Sequence, residues 1–353
     1  KINFRRFTLQ YMDFLPNLKT KLSKDRVTLG LDFGTQEIKA VKLKFAQEQA
    51  EFCGFEIEPN KLDPVQALRK IKESLAEDLV NISFSGTSTV IRYIEFPRMK
   101  KEELKQALKF EAQKHIPFSL EEVNLDACII NQGLPNNKML VLVAAVKKEL
   151  AHQRIKLIEQ SGFRVNNVNI DSVALINAFN FINKENEGLK GKALALLNIG
   201  ASLSNLNILE AAIPRLSRDI HFAGNKFTQR IEDNFGIDFK SAEELKINPE
   251  KDKGKFNQLA LVIEPVYSNL AGAIRTSFDF YESQNASSVG KILLSGGGSK
   301  FIGLKDTLKT LLGIEVDYWD PIGKIQCSPD ADHEKIKQYS TQLPVALGLA
   351  LSQ

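Results

Sequence analysis

Apolar positions along this chain recur in two rhythms, and the switches between them mark the elements. Alternating, β-rich runs at Val27–Leu31 and Ile38–Lys44 predict a hairpin around a glycine-bearing turn, with Phe52–Ile57 as a third strand. Val65, Leu68, Ile71 and Leu75 then fall on one stripe, which predicts a helix within Asp63–Leu79. Strands are expected over Asn81–Val90 and Ile91–Phe96. Lys100–His115 reads as an amphipathic helix, with Leu104, Ala107, Leu108 and Ala112 on one face and lysines on the other. Pro117 stops it, because proline disfavours helical geometry in the residue before it.

Strands follow at Val123–Ile130 and Lys138–Val146. A helix at Lys148–Gln160 is ended by Gly162, and a strand at Val165–Ile170 runs into a helix over Asp171–Ile182. The polar stretch Asn183–Lys192, with Gly188 and Gly191, reads as a linker. Beyond it the pattern restarts: strands at Ala193–Asn198, Leu206–Leu209 and Arg215–Asp219, then helices at Ala223–Phe235 and from Ser241. A long helical span covers Gln258–Glu282. A strand at Lys291–Ser295 enters Gly296-Gly297-Gly298, a helix covers Phe301–Leu312, and the last helix, Leu343–Leu351, is apolar on every side.

With 353 residues the chain is long enough for two domains. Its 43% hydrophobic and 25% charged residues are those of an ordinary globular protein, and a net charge of +4 is too balanced to argue for nucleic-acid binding. Three separated cysteines read as reduced thiols, and four scattered histidines show no metal-ligand spacing. No run approaches the roughly 18 apolar residues of a membrane span, so no transmembrane segment is expected. Residues 1–26 form a basic, aromatic-rich arm, read either as a partly ordered extension or as a docking segment.

The turn in the first hairpin occurs twice. Leu31-Asp32-Phe33-Gly34-Thr35-Gln36 is echoed by Leu197-Asn198-Ile199-Gly200-Ala201-Ser202. Each is an apolar strand, an Asp or Asn, a glycine and a hydroxyl-bearing turn. Such turns leave backbone amides uncovered and make anion cradles.

In order, hairpin turn, hairpin turn and strand–Gly-Gly-Gly–helix resemble the two phosphate loops and the adenosine loop of the actin-like ATPase superfamily. Within it the chain is similar to the PilM family of type IV pilus assembly proteins, whose near relative is FtsA. Gly30-Leu31-Asp32-Phe33-Gly34 followed by Ile38-Lys39-Ala40-Val41, Lys105–Phe118, Ser217-Arg218-Asp219-Ile220 with Gly224-Asn225-Lys226-Phe227-Thr228, Ala242–Lys246 and Ile292–Ser299 carry the resemblance.

It implies an α/β fold of actin-like, ribonuclease H-like type: a duplicated fold of two domains around a central nucleotide cleft. The expected boundaries are 27–190, with a small subdomain inserted at about 98–165, and 191–353. ATP and Mg2+ are the implied cofactors. Gly34, Thr35 and Gln36, then Asn198, Gly200, Ala201 and Ser202, would hold phosphate, and Asp32 would hold Mg2+ through water. Lys39 would neutralise phosphate charge or be a solvated strand residue. Gly224 would offer a helix N-terminus. Glu243 and Lys246 would reach ribose and adenine or form a surface ion pair. Gly296, Gly297 and Gly298 would lie against the adenosine. Asp171 is the one position for a general base, with a helix N-cap as its other role.

Two departures bear on activity. Asn198 stands where the second loop usually has Asp, which would weaken metal binding or hydrolysis, and Ala223-Gly224 replaces a double glycine. The implied function is a cytoplasmic ATP-binding scaffold with weak or no ATPase activity. It would be held at the inner membrane by the cytoplasmic tail of a PilN-type protein, with Ile116 and Phe118 either facing that partner or buried in the core. The alternatives are an FtsA-like membrane-associated division filament, which the apolar Leu343–Leu351 does not favour as an anchor, and a kinase of the same fold.

Overall fold

The computed structural model describes residues 26–46, 49–60, 63–183, 193–251 and 253–352. The expected basic arm, but for Arg26, and the linker beyond Asn183 lie outside the described residues. The chain divides into two compact units, Lys1–Lys184 with Pro321–Gln353, and Glu185–Asp320.

The first unit opens with β1 (Arg26–Phe33), β2 (Glu37–Ala46), β3 (Gln49–Pro59), α1 (Pro64–Leu75) and β4 (Leu79–Phe84). Helix α1 starts where it does because the Asp63 carboxylate accepts from the amides of Val65 and Gln66, and Pro64 needs no donor partner at the first position. There follow β5 (Thr89–Pro97), α2 (Lys101–His115), β6 (Val123–Leu134), β7 (Lys138–Lys147), α3 (Lys148–Gln160), β8 (Arg164–Ile170) and α4 (Asp171–Ile182).

The second unit holds β9 (Ala193–Ile199), β10 (Ser204–Glu210), β11 (Ile213–Ile220), α5 (Gly224–Phe235), α6 (Phe239–Ile247), α7 (Lys253–Gln284), β12 (Val289–Ser295), α8 (Leu304–Leu312) and β13 (Glu315–Tyr318). Then β14 (Gln326–Cys327), α9 (His333–Tyr339) and α10 (Pro344–Ala350) complete the first unit.

The two main sheets share one plan. In the first, β3-β2-β1 is an antiparallel meander, β4 and β8 add parallel to β1, and the short β14 lies outside β3. In the second, β11-β10-β9 is the meander, and β12 and β13 add in parallel. Strand order and direction repeat, which is the duplication suggested by the paired turns and the actin-like α/β fold implied by the resemblance. Each glycine turn joins the first two strands of its meander.

The inserted subdomain is an antiparallel sheet, β5-β7-β6, covered by α2. Its strands begin at Thr89 and end at Lys147, a narrower span than the expected 98–165: β8 belongs to the main sheet and α3 packs against α1 and β8.

A second difference concerns the end of the chain. Residues 321–353 do not stay with the second unit, as the boundary 191–353 supposes. Helix α10 is buried all round, and it packs against β1, β2 and α4 of the first unit. Two glycines allow the approach. A Cβ on Gly30 would lie 2.0 Å from the Ala346 carbonyl oxygen, and one on Gly348 would lie 1.8 Å from that of Ala174. A polar cage then ties down the helix end. Asn81 donates to the carbonyls of Leu349 (2.9 Å) and Ser352 (2.8 Å), Asn177 donates to Ser352 Oγ, and Thr28 Oγ1 donates to the Ala350 carbonyl. Buried amides such as these must be paired, so the cage specifies one seat for the helix.

Candidate functional site

In the first turn, Asp32 and Lys39 are direct cross-strand partners on β1 and β2. Their ion pair spans 3.4 Å with side chains only 14% and 13% exposed, so Lys39 is not a solvated strand residue. Gly34 has no room for a side chain: a Cβ there would meet the Glu37 carbonyl oxygen at 2.7 Å and Lys39 Nζ at 3.3 Å. Asn60, just beyond β3, braces the turn by donating its side-chain amide to the Gly34 carbonyl (2.6 Å) and its backbone amide to that of Gln36 (2.8 Å). Thr35 and Gln36 complete the bend.

The second turn has the same geometry. A Cβ on Gly200 would meet the Leu203 carbonyl oxygen at 2.8 Å, three residues on as in the first turn. The Gly200 amide donates to that same carbonyl (3.0 Å). Helix α5 begins against this turn. The amides of Gly224 and Asn225 donate to the carbonyls of Gly200 (2.9 Å) and Ala201 (2.6 Å), and that of Lys226 donates to Ala223 (2.9 Å). Two of the N-terminal amides expected to be free, those of Gly224 and Asn225, are therefore committed to the turn. Gly224 acts as a latch, because the helix start must come within contact of the Gly200 carbonyl.

Glu243 and Lys246 are not a surface pair. Their side chains are 20% and 11% exposed, and Lys246 Nζ donates to Glu243 Oε2 (2.7 Å), Thr228 Oγ1 (2.9 Å) and the Gly224 carbonyl (3.3 Å). The α6 lysine thus sits against the start of α5, which itself holds the turn at Gly200–Ser202. Each turn is backed by one largely buried lysine with one carboxylate beside it.

Asn198 stands in a polar row that crosses four strands at one level. Ser295 Oγ donates to Asn198 Oδ1 (3.2 Å), Asn198 Nδ2 to Asn205 Oδ1 (3.4 Å), and Asn205 Nδ2 to Asp219 Oδ1 (2.7 Å). The row is directional, with the anion at its far end. An amide suits the second place, where one side must accept and the other must donate.

Among the three consecutive glycines, the outer two answer to packing. Gly296 has φ of 87°, and a Cβ there would lie 2.2 Å from the Ile199 carbonyl oxygen; one on Gly298 would lie 2.6 Å from Ile199 Cγ2. Gly297 is the exposed member.

Asp171 is the first residue of α4, and Ile170 occupies the cap position. The Asp171 carboxylate accepts from Ser83 Oγ at 2.6 Å instead of capping the helix. The N-cap role is thereby corrected: β8 runs straight into α4, so the aspartate lies inside the first turn.

Ile116 is buried in the α2 core with Leu104, Leu108 and Ala112, and Phe118 is half-buried against the same core under the Lys147 ammonium (4.8 Å). Ile116 is therefore not an exposed partner residue, since the chain leaving α2 must close the subdomain. The exposed aromatic is Phe110, 78% accessible among the lysines of α2. Asn60, which braces the first turn, carried no signal in the apolar periodicity, because a polar residue after a strand has no period to join.

Among the described residues no cluster of three His, Cys, Asp or Glu could hold a metal ion, and no helix is long and apolar enough to cross a membrane. The family described as "Type IV pilus assembly protein PilM" matches residues 30–353. A solved PilM-PilN type IV pilus biogenesis complex contains a chain with 23% identity and a TM-score of 0.81, over 92% of this chain and 97% of that one. The ethanolamine utilization protein EutJ from Carboxydothermus hydrogenoformans is similar at 14% identity and a TM-score of 0.53, over 93% and 90% of the two chains. With the family match running from the first glycine turn through the duplicated sheets to α10, the chain belongs to the PilM family of type IV pilus assembly proteins.

Proposed function

We propose that this protein is an ATP-binding scaffold of the type IV pilus assembly platform, holding the N-terminal tail of a PilN-type inner-membrane protein. The observation that carries the nucleotide half is the duplicated glycine turn, each copy backed by a largely buried lysine. A glycine bend can turn backbone amides toward an anion, and the ammonium near it, shared with one carboxylate, adds positive charge. The partner half rests on family membership and on the likeness to a PilM chain solved with PilN.

The phosphate-contacting residues would be Gly34, Thr35 and Gln36 with Lys39 at the first turn, and Gly200, Ala201 and Ser202 at the second. Lys246 and Glu243 recognise the nucleoside, and Gly297 offers it a bare backbone. Gly224, Gly296 and Gly298 serve as the packing that shapes these surfaces. Mg2+ would neutralise phosphate charge, and the residue suited to it is Asp32, a hard oxygen ligand acting through water. Asn198 brings no charge to a metal-water shell, which favours binding over turnover.

Calorimetry with ATP and Mg2+ tests the first half. Wild type should bind and Lys246→Ala should lose at least about tenfold, as for a charged hydrogen-bonding group. No heat with any adenine nucleotide would overturn it. Steady phosphate release within the roughly 1–100 per second of kinases would count against a scaffold. Fluorescence anisotropy with a labelled peptide copied from the N-terminal tail of the PilN-type protein tests the second half, which fails if no saturable binding is seen.

A further inference from the structure

Helix α2 carries an aromatic that its fold does not use. Leu104, Leu108 and Ala112 face the sheet β5-β7-β6 and are buried with it, so the apolar side of the helix is already covered. Phe110 lies across the helix from them and is 78% exposed. Its neighbours one turn away on that outer side, Gln106 and Gln113, are uncharged and exposed. Lys101, Lys105 and Lys109 run beside it as an i, i+4, i+8 row, all exposed. Among the described residues no hydrogen bond or ion pair engages these three ammoniums. Like charges at that spacing repel, so the row weakens α2 and gains from an anion in front of it. Two of the helix's three acids are engaged elsewhere: Glu103 accepts from the Lys100 amide (3.0 Å), and Glu111 is held by Lys114 (2.8 Å). The third, Glu102, lies about two turns from Phe110.

An acidic protein and an anionic bilayer both complement this face in charge, and the chemistry favours the bilayer. Lysine is depleted at protein–protein interfaces. Lysines around a protruding aromatic suit a membrane surface instead, because the ammoniums stay hydrated at the lipid phosphates while the ring enters the apolar boundary. We propose that the outer face of α2 rests on an anionic lipid surface, with the Phe110 ring inserted and Lys101, Lys105 and Lys109 at the phosphates. This contact rests on no part of the nucleotide reading. One ring and three lysines bind weakly and reversibly. A protein already held at a bilayer by a partner's tail gains from such a contact, since the tether raises its effective concentration.

Co-sedimentation of the full chain with phosphatidylethanolamine–phosphatidylglycerol vesicles, against vesicles of phosphatidylcholine alone, tests this. Wild type should half-saturate at roughly millimolar anionic lipid and bind the neutral vesicles at least about tenfold more weakly. Phe110→Ala should lose roughly tenfold, and the double variant Lys105→Gln, Lys109→Gln roughly tenfold or more. All three positions are exposed, so circular dichroism should show both variants folded. Insertion has its own readout. The chain's single tryptophan, Trp319, is buried, so the emission of Phe110→Trp should shift to the blue with anionic vesicles while that of wild type stays in place. Wild type that leaves anionic vesicles unbound overturns the proposal. So does full binding retained by either variant, which moves the lipid contact elsewhere in the chain, or a Phe110→Trp spectrum that bound vesicles leave unchanged.

Discussion

Gly348→Ala should destabilise the first unit, although helix propensity argues the opposite. Alanine is favoured over glycine inside a helix by about 1 kcal/mol. Against that, the new methyl would start 1.8 Å from the Ala174 carbonyl oxygen and 2.4 Å from its carbon. Comfortable heavy-atom contact begins near ~3.5 Å, so α10 would have to retreat by roughly 1.7 Å. It cannot do so freely, because its other side touches β1, where Gly30 already admits the Ala346 carbonyl without space for a Cβ. Overpacking of this kind costs about 1–3 kcal/mol even when side chains can yield, and here both partners are backbone. The net loss should be about 2 kcal/mol or more.

Urea unfolding followed by circular dichroism would measure the loss. Hydrogen exchange of α10 and α4 amides would assign it to the first unit, since two units need not unfold together. Gly272→Ala in α7 is the control: a Cβ there meets nothing within 4 Å, so it should gain about 0.4–1 kcal/mol. A Gly348→Ala protein as stable as wild type would refute the packing argument.

Other outcomes follow from the same geometry. Asn198→Asp should lose about 1–3 kcal/mol at neutral pH, because an oxygen would replace the donor that faces Asn205; an unaltered thermal midpoint would show that the polar row is not directional. Ile116→Ala should cost about 2–5 kcal/mol and Phe110→Ala less than about 0.5, read from denaturant midpoints, because one side chain is core and the other is in water. The Asp317 carboxyl is held below its ordinary 3.8, chiefly by a hydrogen bond from Lys291. Its folded pKa is depressed, so the stability it lends is present above pH 3.8 and fades as pH falls through the lowered value. The gap between wild type and Asp317→Asn, under ~1 kcal/mol for a pair this exposed, should therefore close in acid.

Much of the fold was legible because local rules agreed. The limits of α3 and α4 and the strands around both turns follow from apolar spacing and glycine stops. The equivalence of Gly34 and Gly200 was visible as a repeated phrase. The small elements β13, β14 and α9 were not, since strands of four and two residues and a helix of seven carry too little period to be read. The pairing of Glu243 with Lys246 could be guessed from helical spacing, but Thr228 between them could not, because it comes from another helix. Ile116 and Phe110 show the same limit: one follows α2 and the other lies within it, both are apolar, and only the packed subdomain decides which is covered.

By itself the sequence determined where most of the longer strands and helices lie and that a glycine turn occurs twice. Those properties depend on near neighbours in the chain, whose steric and hydrophobic preferences act over a few residues. Tertiary structure alone decided that Pro321–Gln353 returns to the first unit, that the first two α5 amides go to the second turn, that Asn198 belongs to a row ending at Asp219, and that Arg154 lies against the rings of Phe33 and Phe84. Each of these joins residues distant along the chain, and a hydrogen bond or a buried charge finds its partner only after the sheets have brought those residues together.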